Sequence, residues 1–260
     1  MDLIAELVAD LREETASLEA LLRPLRAEQW ETATPAEGWA IRDQVSHLAW
    51  FDDAARTAVT DPDAFLAAGL TSPDDIAAEH RAMPAADLHA WFTSARARLV
   101  EVFAGLDART RIPWYGPPMS AASFATARLM ETWAHGQDVA DALGVTREPT
   151  ARLRHVAMIG FRAMPYGFAV RNLPVPQEPV RVELVMPDGQ AWSAGPQDAA
   201  NLVRGPMLDF CLLVTQRAHL ADTALEVTGE TAKAWTAIAQ AFAGPPGKGR
   251  APGKNQGHSG

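Results

Sequence analysis

A single cysteine, Cys211, stands in 260 residues, and that alone excludes an internal disulfide. It lies in Met207-Leu208-Asp209-Phe210-Cys211-Leu212-Leu213-Val214, where a buried small side chain is the simpler reading than a reactive thiol. Long apolar runs are missing as well. No stretch approaches the roughly twenty apolar residues a membrane-spanning helix needs. The N-terminus opens with Asp2 and Glu6 in an amphipathic pattern and lacks the basic region and apolar block of a secretion signal, so a cytoplasmic location is expected. Positive charge is short. The net charge is -9, and the basic residues include 20 arginines but three lysines, a bias that hints at a GC-rich genome. Because Lys248, Arg250 and Lys254 fall in the last seventeen residues with no acid among them, the body before residue 244 sums to about -12. A body that acidic repels phosphates and excludes general nucleic-acid binding.

What is present fits a soluble globular chain with 48% apolar and 21% charged residues, long enough for one large domain or two ordinary ones. Leu3, Leu7, Leu11, Leu18, Leu21 and Leu22 recur at helical spacing over residues 2–22. After the break at Pro24, Pro35 and Gly38, a second helix is expected from about Ala40 to Val59. Residues 60–85, punctuated by Pro62, Gly69, Pro73 and Pro84, read as short pieces and loops. A third long helix fits 86–105, a fourth runs from about Ser120 to Leu143 and stops at Gly144, and another covers Thr150 to about Phe161. Such a series argues for an up-and-down helical bundle.

The pattern changes near residue 174. Val180, Val182, Leu184 and Met186 alternate with polar residues as in a strand, Pro187-Asp188-Gly189 makes a turn, and Gln190 to Ala194 returns. A helix is expected over 197–216, broken at Gly205-Pro206, then a strand at Ala224–Val227 and a final helix from Glu230 to Phe242. The fold class is therefore α+β: a helical bundle over 1–173, a small α+β domain over 174–243, and a tail over 244–260. That tail holds nine Gly or Pro residues in seventeen, so disorder is expected there, His258 included.

Glu131 and His135 lie four residues apart on the fourth long helix and share one face, where they can grip one metal ion. The alternative is a surface pair that supports the helix. Leu129, Met130, Trp133 and Ala134 crowd the same turns, and a buried carboxylate is costly without a cation. His47, flanked by Val45, Leu48 and Trp50 on the second helix, is the candidate third ligand; otherwise it is a core histidine satisfied by a carbonyl or carboxylate. His80 and His89 read as solvated. Arg128, three residues before Glu131, is placed to pair with it or with an anionic ligand. Trp114 and Tyr115, just before the ligand helix, are candidates for a pocket wall or for plain core.

Gly38-Trp39, His47-Leu48 and the run Arg128-Leu129-Met130-Glu131, His135-Gly136 and Asp138-Val139-Ala140 resemble the paired signatures of the DinB-like metal-binding superfamily, and within it the mycothiol-dependent maleylpyruvate isomerase branch. The resemblance implies one divalent metal, most often zinc, held by His47, Glu131 and His135, with mycothiol as thiol cosubstrate. The second part, with Trp192, Gly195, Arg217 and Gly229, is similar to the small sterol-carrier-like domain of that branch.

Two histidines and one carboxylate leave an open position on a metal, which suits catalysis rather than structure. Such a metal activates water or holds a thiol as thiolate. With no suitable cysteine in the chain, a thiol has to arrive with a cosubstrate if thiol chemistry is used, and the resemblance implies that it attacks an electrophilic small molecule, as in an S-transferase or isomerase. A hydrolase using bound water and a non-enzymatic metal-binding protein are the alternatives. Asp138, on the face of His135, is a candidate for orienting a ligand, and Asp43, one turn before His47, has the same two readings of helper or solvated acid. Arg217 is the candidate contribution of the second domain, expected to close over the open end of the bundle.

Overall fold

The computed structural model describes residues 2–253 and divides into two compact units between Val145 and Thr146. His258 and the rest of the tail beyond 253 lie outside the described residues.

The first unit is a four-helix bundle. Helices α1 (Leu3–Leu22), α2 (Ile41–Thr60), α5 (Ala85–Ala104) and α6 (Ala121–Leu143) form it, with the short α3 (Pro62–Ala68) and α4 (Pro73–His80) filling the connection from α2 to α5. Helix α2 packs against α5 and α6, and α1 packs against the same two from the other side. The apolar stripes legible in the sequence become the core, with Leu11, Leu18, Val45, Leu48, Phe92, Leu99, Phe103 and Phe124 each at most 1% exposed. A two-stranded hairpin, β1 (Arg111–Ile112) and β2 (Met119–Ser120), leads into α6. That helix starts on Ser120, whose hydroxyl accepts the Ser123 N–H at 3.1 Å. It stops at Gly144, which adopts φ 66° and ψ 30°, a left-handed conformation natural to glycine. From Arg128 to Ala140 every residue of α6 except Glu131 is buried, so its polar side chains point into the bundle rather than into water.

The second unit holds α7 (Leu153–Arg162), α8 (Met164–Ala169), a four-stranded sheet, α9 (Met207–Val214) and α10 (Glu230–Thr236). The sheet contains β3 (Val180–Val185), β4 (Ala191–Ala194), β5 (Asn201–Pro206) and β6 (Glu226–Thr228) in the order β4-β3-β5-β6, with β3 and β5 parallel and the other pairs antiparallel. Val180, Val182 and Leu184 are the buried members of β3, as their alternation predicts. The expected change of architecture near 174 lies inside this unit, because α7 packs on α9 and α8 on α10.

Two expectations need correction. Residues 201–206 are not helical: Asn201 and Val203 are buried in β5, which pairs with β3 and β6, and α9 begins only after Pro206. Sheet pairing outweighs local propensity there. The last helix ends at Thr236, because the chain turns away and Ala241 N–H reaches the Val214 carbonyl at 2.8 Å. Of the expected disordered tail, residues 244–253 follow an irregular path with defined partners; Tyr166 hydroxyl donates to the Gly244 carbonyl at 2.7 Å.

Candidate metal centre

One turn of α2 and two turns of α6 place His47, Glu131 and His135 together. Glu131 Oε2 lies 3.2 Å from His135 Nε2 and 3.4 Å from His47 Nε2, and the imidazole centroids are 4.3 Å apart. The i,i+4 spacing on α6 sets the first contact; the packing of α2 on α6 sets the second. Both histidines are buried and the Glu131 side chain is 22% exposed, so the cluster opens to solvent on the carboxylate side.

The protonation states suit a cation. Burial, then the neighbouring His135, pushes His47 down to about 4, so it is neutral at physiological pH and keeps a lone pair. Burial alone would raise the Glu131 carboxyl, but hydrogen bonds from His135 and His47 outweigh it and hold the group well below its ordinary range. Neutral imidazole and ionised carboxylate are the ligating forms. The spacing fits as well: bonds of about 2.0–2.2 Å at tetrahedral angles separate neighbouring donors by about 3.3–3.5 Å, against the 3.2 and 3.4 Å found. His47 Nδ1 is buried with no hydrogen-bond partner among the described residues.

Aromatic rings wall the cluster. Trp39 lies 5.6 Å from His47 and is stacked at 6.2 Å on His135. Phe51, one turn after His47, sits 4.6 Å from it and continues to Trp114 and Tyr115, each at 6.2 Å. Phe65 of α3 lies flat on Trp114 at 5.3 Å. Trp114 and Tyr115 thus belong to an aromatic wall that starts at a ligand candidate, and partial burial raises the Tyr115 phenol above its ordinary value.

The remaining candidates fall out differently. Arg128 does not pair with Glu131: its Nε and Nη2 donate to Asp52 Oδ1 at 3.1 and 2.9 Å, and Nη2 reaches the Leu48 carbonyl at 3.4 Å. A buried aspartate on the facing helix is its partner, which corrects the expected pairing with Glu131. Asp43 is 2% exposed, so it is not a solvated acid. It accepts the Ala40 N–H at 2.8 Å at the start of α2 and pairs with Arg81 at 3.1 Å. Asp138 is 3% exposed on α6, which excludes the solvated alternative. Arg217 belongs to the second unit, where its Nη1 donates to the Thr215 carbonyl at 2.7 Å. His80 and His89 are partnered: the first meets the Ile76 carbonyl at 2.8 Å and the second Glu19 at 2.9 Å.

Sequence reasoning missed Gln44, whose Oε1 lies 2.5 Å from His135 Nδ1, and Thr34 behind it. The available signal was a polar residue three positions before His47 on a buried stripe. It also missed Asp52, which receives both Arg128 and Arg96, the latter at 2.6 Å.

A helical bundle carrying a His-Glu-His cluster between two of its helices, followed by a small α+β unit, defines the class. The family described as mycothiol maleylpyruvate isomerase N-terminal domain matches residues 11–140, and the chain belongs to that branch of the DinB-like superfamily. Residues 176–228 match a family described as wyosine base formation. Uncharacterized proteins from two strains of Mycobacterium tuberculosis, CDC 1551 / Oshkosh and ATCC 25618 / H37Rv, are each 51% identical over 250 residues, spanning 94% of this chain and 97% of theirs. Two crystal structures of the mycothiol-dependent maleylpyruvate isomerase share the fold. A point mutant superimposes with a TM-score of 0.61 at 16% identity over 84% of this chain and 92% of its own. The other gives 0.62 at 15% identity over 89% and 96%. Among the described residues, no helix is long and apolar enough to cross a membrane.

Proposed function

We propose that the protein is a metal-dependent enzyme that activates a low-molecular-weight thiol, mycothiol, for attack on an electrophilic small molecule, as an isomerase or S-transferase. The observation that carries this reading is the convergence of His47 Nε2, His135 Nε2 and Glu131 Oε2 at 3.2 and 3.4 Å. A divalent metal, zinc by the chemistry of the donor set, supplies a Lewis-acid centre that keeps a thiol ionised near neutral pH. The chain does the rest. His47 and His135 enter as neutral donors, so Glu131 brings the single negative charge and leaves the centre cationic toward an incoming anion. Trp39 and Phe51 cover the imidazole faces and exclude water from them. Trp114, Tyr115 and Phe65 extend the apolar wall along which a substrate chain can lie. Asp138 is retained as a buried carboxylate that supports the ligand face of α6. Membership of the mycothiol maleylpyruvate isomerase branch supports the thiol, and the absence of a usable protein thiol agrees with it.

The test is metal analysis of the purified protein followed by calorimetric titration with mycothiol. Stoichiometric zinc that is lost in His47→Ala, together with thiol binding that depends on the metal, is expected. Metal without thiol affinity would favour a hydrolase or a non-enzymatic metal protein, and no metal in either protein would remove the site. An assay of maleylpyruvate isomerisation then separates the isomerase from the transferase.

A further inference from the structure

His135 and His47 differ in what stands behind them. His135 Nδ1 faces Gln44 Oε1 at 2.5 Å, whereas His47 Nδ1 is buried without a partner among the described residues. The orientation of the Gln44 amide follows from its other end. Gln44 Nε2 lies 2.8 Å from Thr34 Oγ1, and Thr34 Oγ1 lies 2.9 Å from the Trp39 carbonyl. A carbonyl only accepts, so the one hydroxyl proton of Thr34 goes to Trp39. The hydroxyl then accepts from the Gln44 amide nitrogen, and the amide oxygen is left facing the imidazole. An amide oxygen also only accepts. His135 must therefore carry a proton on Nδ1, and Nε2, 3.2 Å from Glu131 Oε2, is the ring nitrogen left to meet a metal.

We infer that Gln44 is a positioning residue for the metal centre: through the relay Trp39 carbonyl–Thr34–Gln44 it fixes the ring and tautomer of His135 and makes this histidine the anchored ligand. The inference rests on the metal-centre reading for its purpose but not for its geometry. Gln44 touches neither metal nor substrate, so it acts through His135. Neutral amides can serve where a carboxylate often stands behind a metal-bound histidine, and loss of such a partner typically weakens metal binding about 10–100-fold. The relay has a second consequence. Trp39 contributes its carbonyl to the relay and its ring to the stack on His135, so one residue sets both the edge and the face of the imidazole.

The experiment uses the full chain with isotope-labelled histidine. Proton–nitrogen correlation spectra of the metal-free protein report which ring nitrogen of His135 is protonated, and competition with a chromophoric chelator reports zinc affinity. The expected result is a slowly exchanging Nδ1 proton in the wild type that is lost or exchanges rapidly in Gln44→Leu, with zinc affinity about 10–100-fold lower. Gln44→Glu, which keeps an acceptor at the same place, should retain the proton and restore affinity; it also guards against a leucine variant that fails to fold. An Nδ1 that carries no proton in the wild type overturns the inference, as does a Gln44→Leu protein with unchanged proton and unchanged zinc affinity. If no variant binds zinc, the proposed function falls, and the Nδ1 proton still decides the role of Gln44.

Discussion

Arg128 Nη2 lies 2.9 Å from Asp52 Oδ1 with both side chains buried, and Asp52 is at the same time held by Arg96 at 2.6 Å. Asp52 follows His47 on α2 by five residues, and Arg128 precedes Glu131 on α6 by three. The ion cluster thus ties the two ligand-bearing helices to each other and, through Arg96, to α5. Removing one member of a buried ionic cluster leaves the others unpaired, which costs about 3–5 kcal/mol. Asp52→Ala, which strands two guanidinium groups, is expected to lose that much in urea unfolding. Arg128→Met leaves the Asp52–Arg96 pair intact and should lose less. Should Arg128→Met instead keep full stability while the KM for an anionic substrate rises sharply, the structural assignment of Arg128 is wrong.

The depressed His47 gives metal-free protein a defined pH dependence. Above the ordinary imidazole range, folded and unfolded chains are both neutral at this position and nothing changes with pH. As pH falls below about 6.5 the unfolded chain takes up a proton that the folded chain refuses until about 4, so stability is lost across that window. The loss amounts to about 3 kcal/mol at its lower edge. Glu131 acts in the same direction further down: its lowered folded value stabilises the protein above the ordinary carboxylate range, and that contribution disappears as acid protonates it. Denaturation in the presence of chelator across the window checks the slope. His47→Leu should flatten it, and an unchanged slope in that variant would show that another group titrates.

How much of this was legible in sequence depended on range. Helices α1, α2, α5 and α6 announce themselves because their apolar stripes repeat every turn and Gly144 supplies a stop. Glu131 and His135 are legible for the same local reason. β5 was not, because a short strand paired in parallel with β3 and flanked by a helix carries no local signature; Asn201-Leu202-Val203 becomes a strand through partners more than fifteen residues away on either side. The partner of Arg128 was not legible because Asp52 is 76 residues distant while Glu131 is three away. Gln44 escaped notice because its role exists only once α2 faces α6, bringing together residues 91 apart.

Gly38 offers a test of how the Trp39 turn is held. It adopts φ +79°, and a Cβ there would meet nothing within 4 Å. Its carbonyl accepts Arg81 Nη2 at 2.9 Å. Crowding is therefore not the obstacle to a side chain; the backbone conformation is. Gly38→Ala should cost about 1–2 kcal/mol from the left-handed backbone alone, and Gly38→Asn less, since asparagine tolerates positive φ better. Thermal or urea unfolding measures both. Equal losses for alanine and asparagine would point to a contact rather than to backbone strain.

Cys211 provides the sharpest separation between a thiol supplied by the chain and one supplied in solution. The residue is fully buried in the second unit, its Sγ directed at the Leu153 carbonyl at 3.5 Å, and burial pushes its thiol well above the ordinary range. A thiol kept protonated and out of solvent is a poor nucleophile. Cys211→Ala is expected to cost about 1 kcal/mol of stability through the small cavity it leaves, and to leave thiol-dependent turnover unchanged at saturating cosubstrate. Native protein should resist iodoacetamide, while urea-unfolded protein should alkylate at one site. Rapid labelling of the native protein, with turnover falling in step, would move the nucleophile into the chain and remove the need for a diffusible thiol.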